Sequence, residues 1–169
     1  HRLHPDFNKK GLFGKKVMKM FTSECSHYSV KKGANLCGIG TDNIVLVKTD
    51  ENRRMILSEL EKAIDHEISE GNDILMVNST MGTTVEGAID PILEIGEFCK
   101  KRGIWHHVDA ALGGAFMMSK DLIKKAGSFE NVNSITFDPH KGLVVPLQCA
   151  LFMVNDSTIM PECNRTNAD

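Results

Sequence analysis

The sequence predicts an α/β fold in which a largely parallel, mixed sheet is flanked by helices. The first observation is that short apolar runs, rich in β-branched residues, alternate with amphipathic stretches along the 169 residues. The second is that few connections consist of a turn alone, as expected when crossover helices join parallel strands. The sequence contains no internal repeat, low-complexity segment or long linker, so this alternation predicts one layered unit.

Six apolar runs supply the predicted strands, and helical patterns separate most of them. Apolar residues at helical spacing predict the first helix at 26–36 and a short last helix at 119–126. The six predicted strands lie at 17–21, 44–47, 74–77, 104–108, 134–137 and 149–154.

End signals predict the two longer helices. Ser58 and Glu61 have the spacing of a capping box, which would open the second helix, and Gly71 would close it. Asp90-Pro91 would cap and start the third helix, which Gly103 would end. Both helices therefore have a predicted beginning and a predicted end.

The composition argues against several classes of function. The 20 basic and 22 acidic residues give a net charge of −2, which disfavours a general affinity for nucleic acid. A hydrophobic content of 41% excludes disorder for most of the chain. No apolar stretch approaches the ~18 residues that a membrane span needs. The five cysteines form no Cys-x-x-Cys pair, which disfavours a disulfide framework or structural zinc and predicts reduced thiols in a cytoplasmic protein.

Polar and small residues follow three of the predicted strands. The third strand leads into 78–84, the fourth into Asp109 and small residues, and the fifth into 138–142. Ligands of parallel sheets bind at the carboxyl ends of the strands. Lys141 near Asp109 in such a crevice suggests pyridoxal phosphate (PLP), which needs an amine for its internal aldimine and an acid that keeps its pyridine nitrogen protonated.

Four motifs carry a resemblance to a known family, in the order that the family has them. They are His27-Tyr28-Ser29, Gly82-Thr83-Thr84 with Gly87-Ala88 and Asp90-Pro91, His107-Val108-Asp109-Ala110-Ala111 with Gly113-Gly114, and Asp138-Pro139-His140-Lys141. From about residue 5 to its end, the chain resembles the group II PLP-dependent amino-acid decarboxylases. Segments 22–24, 38–43 and 147–150 most resemble the branch that acts on acidic amino acids, which holds glutamate decarboxylase and cysteine sulfinate decarboxylase.

The resemblance also implies a place in a larger fold. It implies that residues 1–155 are the central part of the large PLP-binding domain of fold-type I enzymes, which are aspartate aminotransferase-like. Residues 156–169 would begin the following loop region, which could be disordered. The chain begins without Met, and the family's phosphate loop, catalytic-loop Tyr and substrate-binding Arg have no match in it. We therefore expect part of a longer chain, whose complete form would be a homodimer with an active site drawn from both subunits.

The resemblance implies three catalytic residues, which are Lys141, Asp109 and His27. Lys141 would form the Schiff base with PLP, and Asp109 would pair with the pyridinium nitrogen. His27 would stack on the cofactor ring and assist proton transfer to the substrate carbon.

Further cofactor contacts follow from the resemblance. Thr80 would contact the cofactor near its phenolic oxygen or orient His27, and Ala111 would pack against the other face of the ring. Ser134, Asp138 and His140 lie where the family contacts the phosphate. An ionised Asp138, at a position where many animal members carry Asn, would repel a phosphate dianion and could instead cap the turn or bond His140.

The reaction implied is decarboxylation of an L-amino acid to the amine and CO2, through an external aldimine and a quinonoid. The branch resemblance favours glutamate, cysteine sulfinate or aspartate as the substrate. Leu112 departs from that branch, because its animal members usually carry Trp at this position.

Three alternatives stay open at this point. A metal hydrolase would use His106, His107, Asp109 and His140, but adjacent histidines on a strand point to opposite faces, so at most one could join Asp109. Another fold-type I PLP enzyme, such as an aminotransferase or cysteine desulfurase, shares the logic of the Asp and the Lys. The third alternative is a binding module, or a fragment that keeps the fold without activity.

Overall fold

The computed structural model describes residue 3 and residues 6–164, and it confirms the predicted α/β class. One sheet of six strands has the order β2-β1-β3-β4-β5-β6, in which the first five strands are parallel and β6 is antiparallel to β5. The strands are β1 (Met18–Ser23), β2 (Ile44–Val47), β3 (Asp73–Thr80), β4 (Trp105–Ala110), β5 (Ser134–Phe137) and β6 (Leu151–Val154). The α-helices are α1 (Phe7–Lys10), α2 (Ser29–Leu36), α3 (Leu57–Ser69), α4 (Ile92–Arg102), α5 (Lys120–Ala126), α6 (Pro139–Gly142) and α7 (Ile159–Asn164), and 3₁₀ turns occupy Thr41–Asn43 and Gly113–Met118.

The six predicted strands are all present, with bounds that differ at most by a few residues. The strand predicted at 149–154 begins two residues later, and the helix predicted at 26–36 begins at Ser29 after a turn. Helix α7 lies within 156–169, where we expected a loop region to begin, and residues 165–169 of that segment are outside the described part of the chain. Gly103 ends α4 in the left-handed conformation, as predicted.

Both predicted N-caps are wrong. Ile56 occupies the N-cap position of α3 and no side chain caps the helix, so Ser58 lies inside the first turn. Pro91, not Asp90, is the N-cap residue of α4. The Asp90 carboxylate instead accepts hydrogen bonds from the backbone N–H groups of Met55 and Thr80, both at 2.7 Å. The Asp90 carboxylate therefore bonds backbone groups that are distant in the sequence and does not cap α4.

The two faces of the sheet differ in chemistry because successive strand residues point to opposite sides. One face is apolar and contributes Phe21 and Val77 to a core that also contains Leu60 and Ile64 of α3 and Ile95 of α4. Burial of each such side chain stabilises the fold by roughly 1.5–3 kcal/mol. The other face, which we call the polar face, carries Thr22, Asn78, Thr80, His107, Asp109 and Thr136.

No helix within residues 6–164 has the length and apolar character that crossing a membrane requires.

Candidate active site

A cavity of about 630 Å³ opens on the polar face of the sheet. Residues of α2, including Val30, Gly33 and Ala34, line one side, and strand residues line the floor. Six of the eight predicted site residues line this cavity: His27, Thr80, Asp109, Ala111, Asp138 and Lys141. The predicted meeting of three strand ends at one edge of the sheet therefore produces a real concave site.

Lys141 lies on the short helix α6, which follows β5 directly. Its Nζ is 2.8 Å from Oδ2 of Asp138, and the Lys141 side chain is 41% exposed whereas that of Asp138 is 12% exposed. Asp138 occupies the N-cap position of α6, but its carboxylate makes no capping hydrogen bond and pairs with the lysine instead of His140. The lysine amine is held at the cavity but stays accessible from solvent.

Asp109 lies near the carboxyl end of β4, between Thr80 of β3 and Thr136 of β5 in register. Its backbone carbonyl accepts a hydrogen bond of 2.9 Å from the Met81 N–H, which fixes the main chain. Its Oδ1 accepts a hydrogen bond of 3.1 Å from the Ala111 N–H. The carboxylate thus has a defined orientation at the cavity floor.

His27 is half-buried at the wall of the cavity, in the turn before α2. Its Nδ1 accepts a hydrogen bond from the Ser29 N–H at 3.3 Å and lies 2.8 Å from the Ser29 hydroxyl. The Tyr28 ring lies 4.1 Å from the imidazole, centroid to centroid. Because Nδ1 is an acceptor, Nε2 carries the proton of the neutral imidazole.

A network of hydroxyl groups connects the cavity floor to the turn that carries His27. Thr80 is buried, and its Oγ1 lies 3.4 Å from Oγ of Ser26, the residue before His27. Ser26 also bonds the hydroxyls of Thr22 and Ser23 at the end of β1. Thr80 is therefore connected through Ser26 to the turn that carries His27. Ser26 was not among the site residues predicted from the sequence.

Close backbone packing explains the glycines around the lysine. A Cβ added to Gly113 would lie 2.0 Å from the Met81 carbonyl oxygen. A Cβ added to Gly142 would lie 2.5 Å from Cβ of Ala115 and 2.8 Å from the Leu112 carbonyl oxygen. Helix α6 therefore reaches the cavity only because residue 142 has no side chain.

Two predicted site residues do not line the cavity. Ser134 is buried at the first position of β5, three residues before the end of that strand, and its hydroxyl contacts Trp105 and His107. His140 faces the segment that leads into β6, with Nδ1 at 2.6 Å from the Cys149 carbonyl oxygen and 3.1 Å from its nitrogen. The motif Asp138-Pro139-His140-Lys141 does not predict these contacts, because Trp105, His107 and Cys149 all lie outside it.

The histidines of β4 point to opposite faces, as predicted. His106 is fully buried, with Nε2 at 2.8 Å from the Ser79 hydroxyl, and burial lowers the pKa of its imidazole to about 4. His107 lies on the polar face, where burial lowers its pKa and the Asp109 charge acts in the opposite direction. Within residues 6–164, no three His, Cys, Asp or Glu side chains are grouped so that they could hold a metal ion.

The residues of the cavity fit PLP. An accessible primary amine, an oriented carboxylate and an imidazole share one concave surface, and these are the groups that the cofactor needs for attachment, for its ring nitrogen and for its ring face. The volume is within the usual range for small-molecule sites.

Comparison with known proteins agrees with this assignment. The model of the family described as pyridoxal-dependent decarboxylase conserved domain matches residues 1–169. The crystal structure of mouse CSAD in apo form is 37% identical, with a TM-score of 0.94, over 99% of this chain and 35% of that one. Catharanthus roseus tryptophan decarboxylase in complex with L-tryptophan is 27% identical, with a TM-score of 0.87, over 98% and 36%. Oryza sativa TDC with PLP and tryptamine is 25% identical, with a TM-score of 0.87, over 97% and 34%.

The chain thus spans about a third of the length of the solved structures that it matches. Within that third, the match to the family model is complete, and identity is higher to CSAD than to the two plant enzymes. The chain belongs to the pyridoxal-dependent decarboxylase family, near the branch of glutamate decarboxylase and cysteine sulfinate decarboxylase.

Proposed function

We propose that the complete protein is a PLP-dependent carboxy-lyase that converts an L-amino acid to the amine and CO2. The observation that carries this proposal is the convergence of Lys141, Asp109 and His27 on one cavity of the polar face. Each of the three lies on a different segment, so their meeting reflects the tertiary structure and not a local pattern.

The residues of the cavity would hold the cofactor in a fixed orientation. Lys141 would attach it through Nζ, and Asp109 would pair with its ring nitrogen. His27 and Ala111 would flank the two faces of the ring, and the Thr80 hydroxyl would lie at its edge. When bound, the cofactor supplies an electron sink for the pair left on Cα as CO2 departs. The fixed charge of Asp109 would favour the protonated ring nitrogen without reorganisation of the site.

His27 would supply the proton that replaces the carboxylate at Cα. Its Nε2–H, which has no partner in the described part of the chain, would pass its proton to Cα while Nδ1 takes a proton from solvent through the Ser29 hydroxyl, 2.8 Å away, so that the ring stays neutral. The half-buried ring at the cavity wall can exchange that proton with solvent between turnovers.

We propose an acidic amino acid, namely glutamate, cysteine sulfinate or aspartate, as the substrate. The segments 22–24, 38–43 and 147–150 and the 37% identity to mouse CSAD support this class, whereas identity to the tryptophan decarboxylase is 27%. A decarboxylation assay of the full protein with these three substrates, histidine and an aromatic amino acid tests it. Preference for the aromatic substrate would overturn the acidic class.

Borohydride reduction of the PLP-loaded full protein, followed by peptide mapping, tests the attachment site. We expect the pyridoxyl label on Lys141, with loss of label and activity in Lys141→Ala. Lys124→Ala is a matched control, because Lys124 is 78% exposed on α5 and does not line the cavity. Label on another lysine, or no label, would overturn the assignment.

We further propose that the complete protein is a homodimer of the cytoplasm that acts in amino-acid metabolism. Exposed apolar side chains on β6 and on the segment before it support a second subunit that would cover them. Val144 is 81% exposed, Leu147 77% and Phe152 55%. The five cysteines are all free, which suits a reducing compartment. Light scattering of the full protein and fractionation of cells test these two statements.

A further inference from the structure

Four polar side chains on β4 and β5 form a continuous hydrogen-bonded chain on the polar face. Trp105 Nε1 lies 2.9 Å from the Ser134 hydroxyl, which lies 2.8 Å from Nδ1 of His107. The other ring nitrogen of His107, Nε2, lies 3.3 Å from the Thr136 hydroxyl. This series of hydrogen bonds begins at the first residues of β4 and β5 and runs toward the cavity, which both His107 and Thr136 line.

The indole of Trp105 fixes the direction of the chain because an indole N–H can only donate. Ser134 therefore accepts from Trp105. Its hydroxyl hydrogen needs an acceptor, since Ser134 is 3% exposed, and Nδ1 of His107 is the one acceptor that residues 6–164 offer it. If Nδ1 carried the proton instead, the buried Ser134 hydrogen would be left without an acceptor, which is costly.

His107 is consequently neutral, with its proton on Nε2. Burial lowers the pKa of the imidazole, and Asp109 of the same strand is the charged group that opposes this shift. The elements packed around the ring present uncharged groups, namely the hydroxyls of β5 and the Phe152 ring of β6, which stacks at 5.9 Å. The Nε2–H group therefore donates to the Thr136 hydroxyl oxygen.

Thr136 is then left with a hydroxyl hydrogen to donate, and Asp109 is its partner in register on β4. Both side chains line the cavity. In the described part of the chain, the Asp109 carboxylate accepts from the Ala111 N–H through Oδ1, and its Oδ2 has no partner. The remaining donor and the remaining acceptor thus belong to paired residues of adjacent strands, whose side chains are on the same face of the sheet.

We infer that Trp105, Ser134 and His107 orient the Thr136 hydroxyl as a hydrogen-bond donor to the Asp109 carboxylate. His107 and Thr136 are then positioning residues for the cofactor, an inference that rests on the proposed function for its consequence. It also gives Ser134 a role that differs from a phosphate contact. With two donors, the Asp109 carboxylate cannot rotate away from the position at which it would meet the ring nitrogen.

The tautomer of His107 tests the direction of hydrogen-bond donation from Trp105 to Thr136, and this test needs no cofactor. Long-range ¹H–¹⁵N spectra of the cofactor-free full protein at neutral pH should show His107 as the neutral Nε2–H form, assigned by its loss in His107→Gln. Ser134→Ala should shift this signal toward the Nδ1–H form, whereas Ser134→Thr, which keeps a hydroxyl, should preserve it. An Nδ1–H tautomer or an imidazolium in the unsubstituted protein would overturn the inference.

The release of PLP tests the link to Asp109. After dilution of the loaded protein, Thr136→Val should release PLP about tenfold faster, the usual effect of losing one hydrogen bond. Thr136→Ser should restore the original rate, because serine returns the donor. Unchanged release from Thr136→Val would overturn the positioning role. If His107 has the Nε2–H tautomer but the protein binds no PLP, the direction of hydrogen-bond donation is confirmed. The proposed function is then overturned instead.

Discussion

The Lys141 ammonium lies 2.8 Å from the Asp138 carboxylate, three residues earlier at the start of α6. This ion pair occupies the amine that the proposed function assigns to cofactor attachment. Lys141 must leave Asp138 before it can react, so the carboxylate competes with the cofactor for the lysine. The pair is partly exposed, and such pairs contribute up to about 1 kcal/mol.

Asp138→Asn is therefore expected to raise the affinity of the cofactor-free protein for PLP by up to about fivefold, the equivalent of ~1 kcal/mol. It removes both the competitor for Lys141 and one negative charge close to an anionic cofactor. Absorbance titration of the full protein with PLP measures the effect. Asp121→Asn is the matched control, since Asp121 pairs with Lys124 on the exposed surface of α5 at 4.0 Å. A loss of affinity in Asp138→Asn would show that Asp138 holds the cofactor.

Asp109→Asn should lower the rate constant of decarboxylation by about a hundredfold or more, the usual size of a lost electrostatic contact to a reacting centre. The amide keeps the size of the side chain and an oxygen that can accept from the Ala111 N–H. It lacks the charge that stabilises a protonated ring nitrogen. PLP release should change less, by about the tenfold that losing one hydrogen-bonded contact gives in Thr136→Val, because covalent attachment depends on Lys141. Equal losses in rate and retention would contradict an electrostatic role.

Much of the fold was predictable because strand signals are local. Strands that pack into a sheet stand out as short apolar runs, and the five parallel strands and the antiparallel β6 were all located from such runs. The meeting of Lys141 and Asp109 was predictable from topology, since the carboxyl ends of parallel strands share an edge. The class of cofactor followed from these two residues together.

The contacts that were missed depend on partners distant in the sequence. Asp90 has the local context of a helix cap, but its acceptors are taken by N–H groups 35 and 10 residues away. The resemblance places Ser134 where the family contacts the phosphate, but its hydroxyl bonds two residues of β4. No periodicity reports such pairings, because they arise from the lateral order of the strands.

Gly142→Ala should reduce PLP attachment to Lys141, because the new methyl group would meet Ala115 and the Leu112 carbonyl oxygen and push α6 away from the cavity. We expect the borohydride-trapped fraction to fall at least severalfold at sub-saturating PLP. Gly71→Ala is the control, since Gly71 does not line the cavity and no atom lies within 4 Å of an added Cβ. Its positive φ strains an alanine, so this variant should lose stability but keep its label. Equal labelling of both variants would show that the close packing of α6 does not position the lysine.

Two buried groups should give stability opposite dependences on pH. Burial raises the pKa of Asp90 from 3.8 to about 6, so between these values the native state binds more protons than the unfolded state. Stability from Asp90 therefore falls by about 3 kcal/mol as the pH rises through this window. Burial lowers the pKa of His106 from 6.5 to about 4, so there the unfolded state binds more protons. Stability from His106 therefore rises by about 3 kcal/mol over nearly the same range.

Substitution of either Asp90 or His106 should reveal the pH dependence of stability that the other residue causes. Between about pH 5 and 6.5, we expect the thermal midpoint of His106→Gln to fall with rising pH relative to the unsubstituted protein, because Asp90 then acts alone. The midpoint of Asp90→Asn should rise over the same range, because His106 remains. Both variants are expected to be less stable overall, since Gln repacks the core around Ser79 and Asn can accept only one of the two N–H groups that Asp90 receives. The comparison therefore uses the slope with pH, which such losses of packing do not change. Parallel slopes for the two variants would show that these groups titrate alike in the native and unfolded states.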